Sequence, residues 1–478
     1  MQSAKKAEPE PLEIKFSAPW QHGGADIPGN MPETGFTDLG NAKRLVIAWG
    51  EDIRYCHATK KWFFWTDKNW AMDQTGMVLR LAKSTVRAIL IEAAAAINDA
   101  ERKTVVAHEQ KSEGEARLRA MVSLAQSEPG IPIQLRDLDS DPMLLNVGNG
   151  TLDLATGALV PHDRKDLITK MVPVDYDPKA TCPMWDKFLA EILPDPSLVE
   201  FVQRAFGYTL TGHALEHVLF LLHGFGANGK STFLEVLRFV FGDYAATADF
   251  GTFLAQKGQP IRNDIARLHG ARMVTAVESG AGKRLAENIV KALTGGDTVA
   301  ARFLYGEHFE FVPVFKLWLA TNHKPRIIGT DEAIWRRIRL IPFSVTIPKQ
   351  NRDHTLPAQL KAEAPGILNW ALAGLRDYQT HGLGEPDCVN QATQEYRQDQ
   401  DVLSHFMDAK VIVDPDSEVR AGELYRVYKG WAEESGEYVI SERDFSAAMT
   451  EQGYSKRRVG YRVDFPAGVY WKGICVSV

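Results

Sequence analysis

The segment Gly224-Phe225-Gly226-Ala227-Asn228-Gly229-Lys230-Ser231 carries the spacing G-x-x-x-x-G-K-S. Its glycines let the backbone wrap around an anion. The Lys230 ammonium suits the β- and γ-phosphates of a nucleotide, and the Ser231 hydroxyl suits Mg²⁺. The apolar run Val218 to Leu222 predicts a buried strand delivering the chain to this loop. Thr232 to Leu237 then starts a helix whose N-terminus faces the phosphate. Residues 224 to 232 are therefore the candidate nucleotide ligands.

Hydrolysis needs a carboxylate at the end of a neighbouring strand. Met273 to Val277 is an apolar run ending in Glu278, 48 residues beyond Lys230. Position 277 is Val where a second acid would be usual, so Glu278 is either the activating base or an anchor for the metal, or both. A third apolar run, Phe315 to Ala320, ends in Thr321-Asn322, and an amide there can touch the γ-phosphate and the attacking water. Trp335-Arg336-Arg337-Ile338-Arg339 then offers guanidinium forks for phosphate oxygens, Arg337 as a finger reaching a neighbouring subunit and Arg336 as its support.

These groups need an α/β frame, and alternating strand and helix patterns between 185 and 388 predict one. At 478 residues the chain suggests about three units. Residues 1–35, rich in Pro, Gly and charge, read as a mobile arm. Residues 36–184 read as an N-terminal α+β domain, with a helix near Asn41 to Trp49 and strands at Ile53 to Cys56 and Trp62 to Trp65. A long helix is predicted from Met77 to Arg102 with Leu79, Val86, Leu90, Ile91 and Ile97 as its apolar stripe, then a hairpin turning at Asn149-Gly150. Trp185 to Thr211 reads as helical, Arg339 to Val345 as the last core strand, and Ala358 to Gln379 as a helix.

A net charge of −6 does not advertise a nucleic-acid partner, so such a surface must be local. Cys56, Cys182, Cys388 and Cys475 form no C-x-x-C pair, which fits a reducing compartment without a cysteine zinc site. Neither a membrane-length apolar run nor a signal-like start is present, and a cytoplasmic location is expected.

The ordered blocks Gly224 to Ser231, Glu278-Ser279, Lys291 to Asp297, Ala301 to Gly306, Ala320 to Pro325 and Ile334 to Ile338 resemble the superfamily 3 helicases, in particular the phage and plasmid primase-helicase family related to the poxvirus primase-helicase. The resemblance covers about Phe36 to Phe406. It implies a P-loop, AAA+-like core that uses ATP and Mg²⁺, with 36–184 as the helicase-associated domain. It also implies a homo-oligomeric ring, usually a hexamer, that moves along single-stranded DNA in its pore. A pore hairpin is implied at Arg302 to Phe311, with Tyr305 and His308 near its tip and Arg302 at its base. A separate primase or polymerase is a natural partner.

Two tempting signals read as structural. The basic-aromatic run Lys60 to Trp65 suits the core of a small β-domain, and Asp137 to Asp141 lies in a turn-rich segment without a flanking strand. The C-terminal 389–478 carries more. Ala421 to Glu434 and Ser441 to Gln452 predict two helices, and Tyr454 to Tyr461 and Val469 to Val476 two strands, an order that suits a winged helix. Lys456, Arg457, Arg458, Arg462 and Lys472 stand there against Asp464 alone, the footprint expected for a duplex backbone. Two rival readings are a P-loop ATPase that remodels protein and an origin-binding protein that uses ATP only to assemble.

Overall fold

The computed structural model describes residues 34–255, 263–278, 283–302, 308–327, 332–460 and 466–477. Most of the predicted arm therefore lies outside the described residues. No helix among those described is long and apolar enough to cross a membrane.

In the N-terminal region α1 (Asp38–Trp49) packs with α2 (Met77–Ala94), α3 (Asp99–Ser112) and α4 (Glu115–Ala125) around a sheet of order β3-β2-β1-β4, formed by β1 (Ile53–Cys56), β2 (Lys61–Trp65), β3 (Trp70–Met72) and β4 (Pro132–Ile133). The single long helix expected from Met77 is two. Asn98 caps α3 by accepting from the Glu101 N–H, and this local bond ends the first helix early. The buried stripe of α2 is Met77, Val78, Leu81, Ala82, Val86 and Ile89, whereas Leu90, Ile91 and Ile97 face outward. Phe63, Phe64, Trp65 and Trp70 are buried, in keeping with the core reading of the aromatic run. The acids at 137–141 serve turns: Asp137 accepts from the Gln134 N–H, Asp139 from the Thr169 N–H at 2.7 Å, and Asp141 from the Met143 N–H.

Next, β5 (Leu144–Val147), β6 (Gly150–Asp153) and β7 (Leu159–Val160) form a meander. Its first turn is Gly148-Asn149, one residue earlier than the Asn-Gly reading, because Gly150 already pairs with Val147. The segment 185–211 is two helices, α5 (Pro183–Ile192) and α6 (Pro196–Leu210), broken where Asp195 caps the second beside Pro196.

The core follows. Five parallel strands lie in the order β14-β8-β13-β10-β9: β8 (Leu219–His223), β9 (Ala245–Thr247), β10 (Met273–Val277), β13 (Lys316–Thr321) and β14 (Ile338–Pro342). Both faces are covered, which explains the unbroken apolar runs. Phe220 and Leu222 face a cluster with Trp185, Phe206, Phe233 and Trp318, while Leu219 and Leu221 face one with Val274, Leu317, Leu340 and Tyr396. On the first face lie α6, α7 (Lys230–Phe241) and, after α11 (Leu356–Ala362), the helix α12 (Ala364–His381). A Cβ on Gly207 would sit 2.0 Å from the Leu375 backbone nitrogen, so glycine there lets α6 and α12 touch. Between α8 (Asn263–Ala266), α9 (Glu287–Thr294) and α10 (Glu332–Trp335), the strands β11 (Val299–Arg302) and β12 (His308–Phe311) pair antiparallel.

Arg272, a buried guanidinium, joins the two regions. It donates to the carbonyls of Leu210 at 2.6 Å and Leu144 at 2.7 Å, with its guanidinium over the Tyr244 ring. Nearby, the Tyr244 hydroxyl accepts from the Asn146 N–H at 3.1 Å.

α13 (Asp387–Gln400) packs on β14, and Asp401 then caps α14 (Val402–Lys410). The remainder comprises β15 (Val411–Arg420), α15 (Ala421–Glu434), α16 (Glu442–Glu451), β16 (Lys456–Val459) and β17 (Gly468–Val476), in a sheet of order β15-β17-β16 around Phe406, Tyr428, Phe445 and Trp471. Ser441 caps α16 as its sequence indicates. β15 escapes the sequence reading because Asp414, Pro415 and Asp416 interrupt its apolar pattern, and its register with β17 shifts between Val413 and Glu418.

Candidate functional site

The loop from β8 to α7 opens at the carboxyl ends of the parallel strands, where ligands of open α/β sheets bind. Gly226 and Gly229 have φ of +83°, a conformation other residues resist, and a Cβ on Gly224 would meet the Phe343 carbonyl oxygen at 2.3 Å. Ala227 also takes a left-handed backbone, with φ of +48°. The loop is pinned from behind by the Ile347 N–H, which donates to the Ala227 carbonyl at 2.7 Å.

Lys230 opens α7 and is 5% exposed. Its ammonium donates to Gly224 O at 2.6 Å, Asn228 Oδ1 at 3.1 Å and Asn322 Oδ1 at 3.2 Å. Burial lowers its pKa to about 8. Burial together with the Lys324 and Lys230 charges lowers His223 to about 4, so that ring is neutral.

Strand order explains the rest. β13 lies between β8 and β10, so Asn322 at its end reaches back to Lys230, and Thr321 reaches forward to Glu278. The Thr321 hydroxyl lies against both Glu278 Oε2 and the His323 carbonyl. The Glu278 N–H donates to Ala320 O at 2.9 Å, while its Oε1 is buried without a hydrogen-bond partner among the described residues. Such an atom is costly to leave unpaired, and a donor entering the site would satisfy it. Val277, beside it, is 56% exposed and lines the cavity.

That cavity, about 520 Å³, brings together the loop from Gly226 to Thr232, Val277, Glu278, Thr321 and Asn322. Its far wall was not read from the sequence: Phe188, Ile347, Arg352, His354, Leu356 and Pro357. These residues lie in segments without a motif, and only the fold carries them to the loop. Phe225 is 87% exposed, and Ser231 is exposed at the helix start.

The arginines separate. Arg337, expected to reach out, turns inward: its Nε donates to Thr294 Oγ1 at 3.2 Å and its Nη1 to Ala333 O at 2.5 Å. Arg336 is exposed, and the strand begins only at Ile338. At the hairpin base Arg302 pairs across from His308; Tyr305 and the rest of 303–307 lie outside the described residues. In the C-terminal sheet Lys456 lies over the Trp471 ring at 4.5 Å, Arg457 pairs with Glu418 at 2.8 Å, and Arg458 is exposed. Arg462 and Asp464 are outside the described residues.

The exit of β13 is tied to α13. Lys324 pairs with Asp399 at 2.8 Å, the buried Tyr396 hydroxyl donates to the Pro325 carbonyl, and the Ile327 N–H donates to Gln400 Oε1 at 3.1 Å.

Residues 42–194 match a family described as D5 N terminal like, and residues 222–337 match DUF5906, a family of unknown function. A protein of Acanthamoeba polyphaga mimivirus named "Putative helicase" is 31% identical over 326 residues, covering 63% of this chain and 34% of the relative. One of Frog virus 3 with the same description is 25% identical over 303 residues, covering 59% and 30%. A "Putative primase" of African swine fever virus is 24% identical, covering 62% and 34%. The chain thus spans about a third of the length of these relatives. The solved C-terminal region of NrS-1, without ligand, is 10% identical with a TM-score of 0.48, over 88% of this chain and 96% of that one. The resemblance to primase-helicases read from the motifs is shown by the family matches and by these named relatives.

Proposed function

We propose that this relative of viral primase-helicases is an ATP-dependent, ring-forming DNA helicase of the superfamily 3, AAA+-like type. One observation carries the reading. Lys230, Asn322 and Glu278 converge from the ends of three neighbouring parallel strands onto one cavity, and Glu278 holds a buried oxygen without a partner among the described residues.

The residues fit a triphosphate and its metal. The glycines clear the loop, Lys230 replaces its Gly224, Asn228 and Asn322 oxygens with phosphate oxygens, and Ser231 with Glu278 would hold Mg²⁺. That ion would supply charge neutralisation at the phosphates. Glu278 Oε1 takes a proton from water as the water oxygen bonds to the γ-phosphorus and the bond to the β-phosphate oxygen breaks. Thr321 fixes the other Glu278 oxygen, and Asn322 positions the water. Arg336, the outward member of its pair, is the arginine offered to the next subunit, while Arg337 secures the turn behind it. The pair β11–β12 forms the base of the pore hairpin, and Arg302, Tyr305 and His308 are its proposed contacts with single-stranded DNA. Residues 402–476 order as helix, strand, helix, helix, strand, strand, with the first strand pairing to the last, which supports a winged helix that binds duplex DNA.

The test is hydrolysis of ATP with and without single-stranded DNA, beside unwinding of forks with 3′ or 5′ tails and mass measurement with and without ATP. Stimulated hydrolysis, unwinding and an ATP-dependent ring are expected. Hydrolysis indifferent to DNA would favour a protein-remodelling ATPase, and assembly without unwinding an origin-binding role. Rings mixing Arg336→Ala with Lys230→Ala subunits should recover activity that neither variant has alone.

A further inference from the structure

The C-terminal domain separates its charges by face. Along β15 and β17 the cross-strand pairs are Glu418 with Lys472, Val419 with Trp471, and Arg420 with Tyr470, and β16 adds Arg457 opposite Tyr470. Successive side chains of a strand point to opposite faces. Val419 and Trp471 are buried in the domain core with Phe445 and Met449 of α16. Arg420, Arg457 and Lys472 therefore share the outer face of the sheet, on the opposite side from α16. All three are exposed, and Arg420 and Lys472 have no side-chain partner among the described residues. Among the described residues paired in this register the acid Glu418 joins them, and it pairs with Arg457.

α16 has the opposite character. Its exposed positions include Glu442, Asp444 and Glu451 against one cation, Arg443. In helix-turn-helix proteins the second helix of the motif enters the major groove, between two rows of phosphates. α16 in that place would bring three carboxylates toward those rows. Two cations of β16 lie on the inner side, Lys456 over Trp471 and Arg458 opposite Val469.

We infer that this domain grips duplex DNA through the outer face of the sheet, with Arg420, Arg457 and Lys472 on the phosphate backbone and α16 turned away. The inference rests on the proposed DNA-binding role of the domain and changes which surface carries it. Binding of this kind is backbone contact, steeply dependent on salt and indifferent to sequence.

The experiment uses the full chain, a blunt duplex without single-stranded tails, no nucleotide, and fluorescence anisotropy across a salt series. Arg420→Gln with Lys472→Gln should weaken binding at least fivefold and lower the salt slope by about two. Glu418→Gln, which frees Arg457, should tighten binding at least twofold, a gain that a damaged fold does not produce. Arg443→Gln and Glu442→Gln should leave affinity within twofold. The inference is overturned if the double variant stays within twofold of the parent, or if Arg443→Gln causes the larger loss while the duplex is still bound. If the parent itself binds no duplex, the DNA-binding role of the domain falls first, and the sheet surface falls with it.

Discussion

Lys230 and Lys472 are both assigned to phosphate, yet they are built in opposite ways. Lys230 is buried at a helix start, already holds three oxygens, and has its pKa lowered to about 8 by burial. Lys472 stands exposed on a strand, with no side-chain partner among the described residues. As assigned, the first site would fix one anion in one pose, because Lys230, Asn322 and Glu278 follow strands that the core holds in register. The second can only attract a line of anions, and position along that line is left free. Chemistry on a phosphate needs the first kind of site, and travel along a backbone needs the second.

The widest separation should come from Glu278→Gln. Turnover is expected to fall by about 10²- to 10⁴-fold, the range for loss of a positioned base, while duplex affinity stays unchanged by equilibrium binding. Retained turnover would remove Glu278 from the reaction. Salt should separate the sites next. If the sheet contacts three phosphates, raising salt from about 50 to 200 mM weakens duplex binding roughly 40-fold. Nucleotide affinity should move far less, because the Lys230 pocket is buried and weakly screened. A nucleotide site equally sensitive to salt would erase the contrast.

The frame behind the loop should matter to one site alone. Gly207→Ala forces α6 from α12 and is expected to cost about 1–3 kcal/mol of stability, read as a lower Tm. Nucleotide binding should weaken with it while the isolated charge pattern of the sheet still binds duplex below the melting range. The smallest effect is on pH. Lys230 titrates near 8 when free, and contact with phosphate favours its charged form. Nucleotide binding should therefore take up a proton above that pH, and affinity should decline by at most about tenfold per pH unit as pH rises. Calorimetry in buffers of different ionisation enthalpy measures the uptake, and none at pH 9 would contradict the assigned role of the buried ammonium.

The same contrast governs what could be read from the chain. The loop, Glu278 and Asn322 were legible because each ends an apolar run, and parallel strands bring their carboxyl ends together. Val218 to Leu222, Met273 to Val277 and Phe315 to Ala320 correspond to three adjacent strands. The orientation of Arg337 was not legible, since sequence does not tell a turn residue facing Thr294 from one facing solvent. Nor was the far wall of the cavity, which Phe188 and His354 both line although more than 160 residues of chain separate them. In the C-terminal domain helices α15 and α16 announced themselves by pattern and cap. β15 did not, because Asp414, Pro415 and Asp416 break its alternation and its pairing is settled by β17. The charge footprint was visible as composition, but its division between two faces depends on register.

The buried guanidinium of Arg272 sets a rule for dissecting the molecule. Its carbonyl acceptors include Leu144, ahead of the core, as well as Leu210, and its neighbour Tyr244 is bonded to Asn146. A fragment cut to begin at 185 would keep the cation and its Leu210 acceptor but lose the Asp141 and Leu144 carbonyls, leaving one end of a buried guanidinium unpaired beside the first strand positions of β10. Any dissection that hopes to isolate the parallel-sheet core must carry residues from about 141 onward, or replace Arg272 with an apolar residue of similar bulk.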